Sequence, residues 1–159
     1  MFTHELRVRW SEVDMQKVVF NGNYLNYFDV AFTEYWRSTG LPSAVQQQAA
    51  GAEMFAKKAT VEYHAPAHFD DVLTLSVQPV QLGRTSVRFE LKVLRNDANG
   101  ATTICTGELV YVHVGTHAMK PEPWPHAWRE VFLATLQVPA EPHALQGVAH
   151  LDTRSQAAA

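Results

Sequence analysis

The sequence has only one cysteine, Cys105, among its 159 residues. A single cysteine cannot form a disulfide within the chain, which is typical of proteins from a reducing compartment. The N-terminal segment MFTHELRVRW lacks the apolar core of a signal peptide. No segment approaches the roughly 20 consecutive apolar residues of a membrane-spanning helix. We therefore expect a cytoplasmic protein without a membrane span.

The sequence also lacks a metal-binding pattern and a strong net charge. Its 8 histidines are scattered, and no pair has the spacing of a helical zinc site. The formal net charge is −3, which creates no general attraction for nucleic acid. We therefore expect no metal, no tightly held cofactor and no nucleic-acid partner.

What is present is a chain with enough apolar residues for one folded domain, since 47% of its residues are hydrophobic. Residues 21–40 predict a long helix, with Asn21 or Asn23 capping its start and Gly40 ending it. Apolar side chains cover most of the circumference of this helix, which is typical of a buried helix. Its polar residues form one narrow stripe, namely Asn26, Asp29, Thr33 and Arg37.

Several other segments alternate apolar and polar residues, as half-buried strands do. The predicted strands span residues 2–10, 54–63, 72–81, 86–95 and 104–114. Pro79 indicates a sheet edge or a bulge, Gly107 indicates a bulge, and residues 97–100 predict a hairpin turn. One strand, one long helix and then four antiparallel strands predict an α+β fold in which the sheet wraps around the helix.

The remaining segments are less regular. Residues 44–50 allow a short helix, although the glutamines at 46–48 give it no apolar face. Residues 128–136 predict another short helix. We assign residues 1–138 to a single domain and residues 139–159, which are poor in large apolar side chains, to a mobile tail.

The loop at residues 11–20 precedes the long helix, and we assign its chemistry to the acid Asp14. The first amides of the helix are expected to point close to this loop. A carboxylate beside a helix N-terminus, which favours negative charge, is a candidate reaction centre. The alternative is that Asp14 only caps a turn.

Three groups of residues carry a resemblance to a known family. They are Val8-Arg9-Trp10 with Asp14, Val18-Val19-Phe20 and Asn23-Tyr24-Leu25; Tyr63-His64-Ala65-Pro66-Ala67 with Asp71 and Leu73; and Gly83-Arg84-Thr85-Ser86 with Gly107. Together they resemble the 4-hydroxybenzoyl-CoA thioesterase-like branch of the hotdog-fold acyl-CoA thioesterases. The resemblance implies a hotdog fold, hydrolysis of acyl-CoA to a carboxylic acid and CoA, and a homodimer or homotetramer.

The resemblance also implies roles for individual residues. Asp14 takes the place of the catalytic carboxylate, as nucleophile or general base, and the amides at Asn21 and Gly22 polarise the thioester carbonyl. Two residues depart from the family pattern: Lys17 stands where glycine is usual, and Asn21 where many members have histidine or tyrosine. Neither departure removes the carboxylate or the backbone amide, so we expect the same type of reaction.

Substrate contacts are predicted in two places. The resemblance implies that the nucleotide end of CoA, often at a subunit boundary, is bound by Arg84, Thr85 and Ser86. Near the loop, Lys17, Phe20 and Tyr24 are assigned to substrate contact. Core packing is the alternative for the two aromatic residues.

Other acids and other functions stay open. Asp29 and Glu34 on the long helix are alternative catalytic carboxylates, because other hotdog branches use a helix acid; Asp29 also suits a structural network with Thr33 and Arg37. Cys105 is expected to be a buried hydrophobic residue rather than a nucleophile. The alternative functions are a hotdog dehydratase, which needs a histidine that this helix lacks, and a non-catalytic protein that binds acyl groups or a carrier protein.

Overall fold

The computed structural model describes residues 1–98 and 100–137, and the helices and strands within them follow the predicted order. Their bounds are β1 Phe2–Arg7, α1 Asn23–Ser38, α2 Ala44–Ala49, β2 Ala52–Tyr63, β3 Val72–Leu82, β4 Ser86–Asp97, β5 Gly100–Gly115, β6 Lys120–Pro121 and α3 His126–Thr135. A short 3-10 helix, Trp10–Glu12, follows β1. The predicted tail and the predicted domain boundary after residue 138 lie outside the described residues.

The strands form one antiparallel sheet in the order β1-β3-β4-β5-β2, with β6 beside β5. The inward-facing residues of β3 and β4 are almost completely buried: Leu73, Leu75, Val77, Val87, Phe89, Leu91 and Val93. The aromatic ring of Phe32 on α1 packs against those of Phe89 and Tyr111 on the sheet. A sheet packed around one long helix is the predicted α+β architecture, and that prediction is confirmed.

Gly107 on β5 lets α1 approach the sheet closely. A Cβ atom at this position would lie 2.4 Å from the ring of Phe28 and 2.2 Å from the carbonyl oxygen of Thr60. Only a glycine fits there without displacing the helix. The predicted bulge at Gly107 is wrong, because Gly107 pairs in regular register with Val61 and Leu91. The predicted irregularity at Pro79 is confirmed, since the register shifts between Pro79 and Gln81.

The buried face of α1 consists of Tyr24, Tyr27, Phe28, Ala31, Phe32, Tyr35 and Trp36. The predicted polar stripe is exposed, and Leu25, which lies on the same side, is 43% exposed. The exposed face is therefore wider than the sequence predicted. None of the helices in residues 1–98 and 100–137 is long and apolar enough to cross a membrane.

Aromatic side chains from the C-terminal end of α1 and from α3 pack together in a cluster. Trp36 packs against Trp128 and Phe132 of α3, with ring centroids 5.2 and 6.1 Å apart. Trp124, just before α3, packs against the ring of Phe132 at 5.2 Å. Because such aromatic contacts bury a large area, this cluster fixes α3 at the opposite end of α1 from the loop at residues 11–20.

The short helix α2 forms although its sequence has no apolar face. Its start is stabilised by a capping box between Ser43 and Gln46. The side chain of Gln47 is buried and donates a hydrogen bond to the carbonyl oxygen of Pro42 at 2.7 Å. Polar contacts thus replace the missing apolar stripe.

Candidate active site

Asp14 lies at the start of a tight hairpin within the loop at residues 11–20. The N–H of Asp14 donates to the carbonyl of Val18, and the N–H of Lys17 donates to the carbonyl of Asp14, both at 2.9 Å. Lys17 has a φ of 64°, in the left-handed region. This is the pattern of a three-residue hairpin loop whose last residue is left-handed, a position that favours glycine. The backbone of the loop therefore keeps the shape that glycine would favour, although the residue is lysine.

The carboxylate of Asp14 has one bound and one open oxygen. Its Oδ1 accepts a hydrogen bond from the backbone N–H of Gln16 at 2.7 Å, which caps the hairpin. Among the described residues, no donor contacts Oδ2. The side chain is only partly buried. Asp14 thus stabilises its own loop and still presents an oxygen that a substrate or a water molecule can reach.

The hairpin is fixed to the segment at residues 64–71. The N–H of Val19 donates to the carbonyl of Ala67 at 2.8 Å, and Val18 forms a β-bridge with His68. Asp71 holds this segment in turn, since its Oδ2 accepts from the N–H of His68 and from the guanidinium of Arg95 at 2.8 and 3.1 Å. The second motif of the family therefore holds the hairpin in place.

The start of α1 differs from the prediction. The helix begins at Asn23 with Gly22 as its N-cap, and no side chain caps it. The Oδ1 of Asn21 accepts from the N–H of Gly22 at 2.9 Å, and the Nδ2 of Asn23 donates to the carbonyl of Glu12 at 2.8 Å. The predicted capping by Asn21 or Asn23 is wrong because both side chains are engaged elsewhere.

The two predicted oxyanion donors are not equivalent in the structure. The N–H of Gly22 is occupied by the side chain of Asn21, whereas the N–H of Asn21 has no acceptor among the described residues. Tyr63 holds Asn21 in place, because its hydroxyl donates to the carbonyl of Asn21 at 3.0 Å. Of the two predicted donors, the open amide is therefore that of Asn21.

Phe20 and Tyr24 occupy different environments. Phe20 is 54% exposed, and its ring lies against Gly22, where a Cβ atom would come within 3.0 Å of it. Tyr24 is buried and packs against Tyr63 and Tyr27 with ring centroids 5.5 and 5.7 Å apart. Burial raises the pKa of Tyr24 to about 12. The structure thus places Phe20 beside the helix start and Tyr24 in the core, the alternative that the sequence left open.

The predicted nucleotide-binding segment, residues 84–86, lies far from Asp14 in the same chain. Ser86 pairs with Val112 on β5, whereas Tyr63, which contacts Asn21, pairs with Cys105. At about 3.3 Å per residue, these positions on β5 are roughly 23 Å apart. Arg84 is exposed. One chain therefore does not bring this segment and the hairpin together.

The two helix acids have different surroundings. Glu34 accepts a hydrogen bond from the guanidinium of Arg37, and this bond lowers the pKa of the Glu34 carboxyl. The predicted network of Asp29 with Arg37 is wrong, since Arg37 pairs with Glu34 instead. Asp29 lines a cavity of about 760 Å³ together with Thr33 and Arg37, toward the C-terminal half of α1.

Cys105 is fully buried, and burial raises the pKa of its thiol to about 12. A thiol with so high a pKa is not a nucleophile at neutral pH, so Cys105 is a small core residue, as predicted. Within residues 1–98 and 100–137, no group of three or more His, Cys, Asp or Glu side chains is arranged to hold a metal ion.

Glu12 is a residue of the site that no sequence motif identifies. Its carboxylate accepts from the hydroxyl of Tyr27 at 2.8 Å and from the N–H of Arg9 at 2.7 Å. Its carbonyl accepts from the N–H of Phe20 and the Nδ2 of Asn23. The only signal in the sequence is a second acid two residues before Asp14.

Comparisons with known proteins agree with this fold. The family model described as the thioesterase-like superfamily matches residues 8–136. An acyl-CoA thioester hydrolase, YbgC, of Escherichia coli is 32% identical over 128 residues, which cover 79% of this chain and 90% of that protein.

Solved structures are similar as well. A hypothetical protein from Aquifex aeolicus has a TM-score of 0.75 and 27% identity, covering 83% of this chain and 99% of that one. A 4-hydroxybenzoyl-CoA thioesterase mutant complexed with 4-hydroxybenzoyl-CoA has a TM-score of 0.76 and 20% identity, covering 82% and 96%. The last likeness shows the fold alone. The family match over most of the chain shows more: this protein belongs to the thioesterase-like superfamily that its motifs resemble.

Proposed function

We propose that the protein is an acyl-CoA thioesterase, which hydrolyses an acyl-CoA to a carboxylic acid and free CoA. The observation that carries this proposal is that one loop segment presents two polar groups without partners. The Oδ2 of Asp14 and the N–H of Asn21 both lack partners among the described residues, and one hydrogen-bonded loop joins them. Membership of the thioesterase-like superfamily supports the same activity.

The chemistry requires a polarised carbonyl and a carboxylate beside it. The N–H of Asn21, with the positive end of the α1 dipole behind it, stabilises negative charge on the thioester oxygen. Asp14 then either attacks the carbonyl carbon or removes a proton from an attacking water. Attack by Asp14 forms a mixed anhydride and releases the CoA thiolate, and water hydrolyses the anhydride. Activation of water forms the acid and releases the thiolate directly.

The exposed residues near the helix start indicate where the substrate binds. Phe20 flanks the helix start, and Lys17 presents an exposed ammonium group at the tip of the hairpin. We assign both to contact with the substrate. The nucleotide end of CoA is assigned to residues 84–86 of a neighbouring subunit. In one chain, the β5 partner of Ser86 lies roughly 23 Å along the strand from the partner of Tyr63, which contacts Asn21.

A homodimer or homotetramer fits the unpaired surfaces of the single chain. The 12-residue strand β2 is at the sheet edge and mostly exposed, and long edges of this kind pair with another chain. Exposed apolar side chains lie in the hairpin, in the segments next to it in the sequence and in the segment that pairs with it, namely Trp10, Met15, Phe20, Leu25 and Phe69. Three cavities among the described residues are lined by neither Asp14 nor Asn21. A second copy would cover these residues and complete a pocket. A purely monomeric species in light scattering at micromolar concentration contradicts this assembly.

The location that we propose is the cytoplasm. The single, buried cysteine suits a reducing compartment.

One observation favours a second candidate, a non-catalytic protein that binds acyl groups. The side chain of Asn21 accepts a hydrogen bond from the N–H of Gly22. Of the two amides that the family pattern implies, only that of Asn21 is therefore open. A site with fewer aligned donors stabilises a transition state less well.

A panel of aliphatic and aromatic acyl-CoAs, assayed for thiol release, tests the proposed function. We expect release from at least one substrate, and its loss in Asp14→Asn. Tight binding of acyl-CoA without release of thiol from any substrate supports the non-catalytic candidate. A single turnover in oxygen-labelled water then tests the nucleophilic role of Asp14: label recovered in the Asp14 carboxylate is evidence for an anhydride opened at that residue.

A further inference from the structure

Glu12 connects the short 3-10 helix, the hairpin and the start of α1. The residue ends the short 3-10 helix two positions before Asp14. Its backbone carbonyl accepts from the N–H of Phe20 at 2.9 Å, across the hairpin, and from the Nδ2 of Asn23 at 2.8 Å. Phe20 and Asn23 lie on either side of Asn21 and Gly22. The position of one carbonyl group therefore relates the hairpin that carries Asp14 to the amide at the helix start.

The side chain of Glu12 fixes that carbonyl from the other direction. Its side chain is only 15% exposed, and its Oε2 accepts from the hydroxyl of Tyr27 at 2.8 Å and from the N–H of Arg9 at 2.7 Å. Tyr27 is buried in the second turn of α1. Burial, together with the hydrogen bond to Glu12, raises the pKa of Tyr27, so its hydroxyl stays protonated and donates.

From this geometry we infer that Glu12 is a positioning residue, which holds the Asp14 carboxylate at a fixed distance from the Asn21 amide. This inference rests on the proposed function. Oε2 already accepts two hydrogen bonds, so the carboxylate serves as an anchor and not as a second base. An anchor of this kind needs an acceptor atom at the right distance, and it does not need a negative charge.

The need for an acceptor atom at the right distance predicts different effects for three substitutions of Glu12. In Glu12→Gln, the amide oxygen can take the place of Oε2 and accept from both Tyr27 and Arg9. In Glu12→Asp, the shorter side chain retracts the acceptor by about one methylene, and in Glu12→Ala the acceptor is lost. Because a misplacement of about 1 Å can cost about a hundredfold in rate, we expect kcat to fall at least about tenfold in the Asp and Ala variants. In the Gln variant we expect kcat to stay within about threefold of the wild type.

Two comparisons distinguish positioning from other roles. KM for acyl-CoA is expected to stay nearly constant in all three variants, since the substrate does not touch Glu12. Val77→Ala on β3, which removes core packing away from the hairpin, serves as a control for lost stability: its Tm falls while its kcat at 25 °C is retained. If Glu12→Ala behaves like Val77→Ala, the residue is only structural. If Glu12→Gln loses as much activity as Glu12→Ala, the charge is needed and the inference is wrong.

Amide hydrogen exchange provides a readout that does not depend on turnover. The N–H groups of Asp14, Lys17 and Phe20 form the hydrogen bonds of the hairpin. In Glu12→Ala and in Tyr27→Phe, which removes the anchoring donor, we expect these amides to exchange at least about tenfold faster. Amides in the paired region of β4 and β5 should be unchanged. Unchanged exchange at the hairpin in both variants overturns the inference. If the wild type hydrolyses no acyl-CoA, the proposed function fails, and the exchange data still decide whether Glu12 orders the loop.

Discussion

The N–H of Lys17 donates to the carbonyl of Asp14 at 2.9 Å, and Lys17 makes this contact with a φ of 64°. The left-handed conformation costs a residue with a Cβ atom about 1–2 kcal/mol, whereas glycine adopts it freely. The chain therefore carries backbone strain at the turn that presents its candidate catalytic carboxylate. Such strain at a loop is consistent with a functional constraint on the lysine side chain.

Lys17→Gly is expected to stabilise the protein slightly. Relief of the left-handed strain is opposed by the greater freedom of glycine in the unfolded chain, about 0.4–1 kcal/mol, so the net gain is about 1 kcal/mol or less. This corresponds to a rise in Tm of roughly 1–4 °C. Gln16→Gly is the matched control, because Gln16 does not have a positive φ and should lose stability. Equal changes in Tm for both variants would show that the turn stores no strain at Lys17.

The same variant reports on the substrate contact. If the ammonium group of Lys17 binds the substrate, Lys17→Gly raises KM for acyl-CoA although the fold is more stable. Lys17→Arg keeps the charge and should keep KM within a few-fold. An unchanged KM in Lys17→Gly would remove Lys17 from the substrate site.

Asn21→Ala is expected to keep or increase activity. The side chain of Asn21 occupies the N–H of Gly22 at 2.9 Å, and its removal frees a second donor beside the open N–H of Asn21. Each well-aligned oxyanion donor is worth about 10²–10³-fold in kcat, so even a poorly aligned one should not lower the rate. Asn23→Ala is the control, since it removes the bond to Glu12 and should reduce kcat. A loss of kcat in Asn21→Ala would mean that the side chain itself acts on the substrate.

The elements of the fold followed from periodicity, whereas the contacts of the site did not. Alternation in residues 86–95 predicted β4, because one face of an antiparallel strand is buried and the other is not. The start of α1 was misplaced because Asn21 and Asn23 are both good capping residues, and tertiary contacts decide between such roles. Nothing in the local sequence shows that Asn23 donates to Glu12.

Glu12 and Arg84 both show that local sequence patterns do not reveal how distant parts of the chain are arranged. Glu12 gains its role from Tyr27, a partner 15 residues away along the chain, and periodicity carries no information on such a pairing. Arg84 was placed in the site by resemblance, and only the register of β5 shows that its segment lies far from the hairpin of its own chain. The β5 partners of Ser86 and Tyr63 are roughly 23 Å apart. The type of reaction is encoded in local motifs, whereas the arrangement of the site depends on tertiary and quaternary contacts.

Arg84→Ala is expected to raise KM for acyl-CoA with little change in kcat. A guanidinium group that contacts a remote phosphate binds the ground state and the transition state equally. The effect should shrink for an acyl-pantetheine, which lacks the nucleotide. Because the contact is assigned to a neighbouring subunit, diluting the wild type until it dissociates should raise KM as well. Equal losses on both substrates would place Arg84 outside the nucleotide site.

Asp14→Asn is the decisive substitution for the proposed reaction. Asparagine has nearly the same size, and its Oδ1 can still accept from the N–H of Gln16, so the hairpin should fold and bind acyl-CoA. The amide has no basic or nucleophilic oxygen, and loss of general-base action alone costs about 10²–10⁴-fold. We therefore expect kcat to fall at least about a hundredfold while KM changes only a few-fold. Asp29→Asn and Glu34→Gln are the controls, because Asp29 lines a cavity to which Asp14 does not contribute and Glu34 is bound to Arg37. Near-native turnover in Asp14→Asn, with activity lost in either control, would place the catalytic carboxylate on the helix instead of the hairpin.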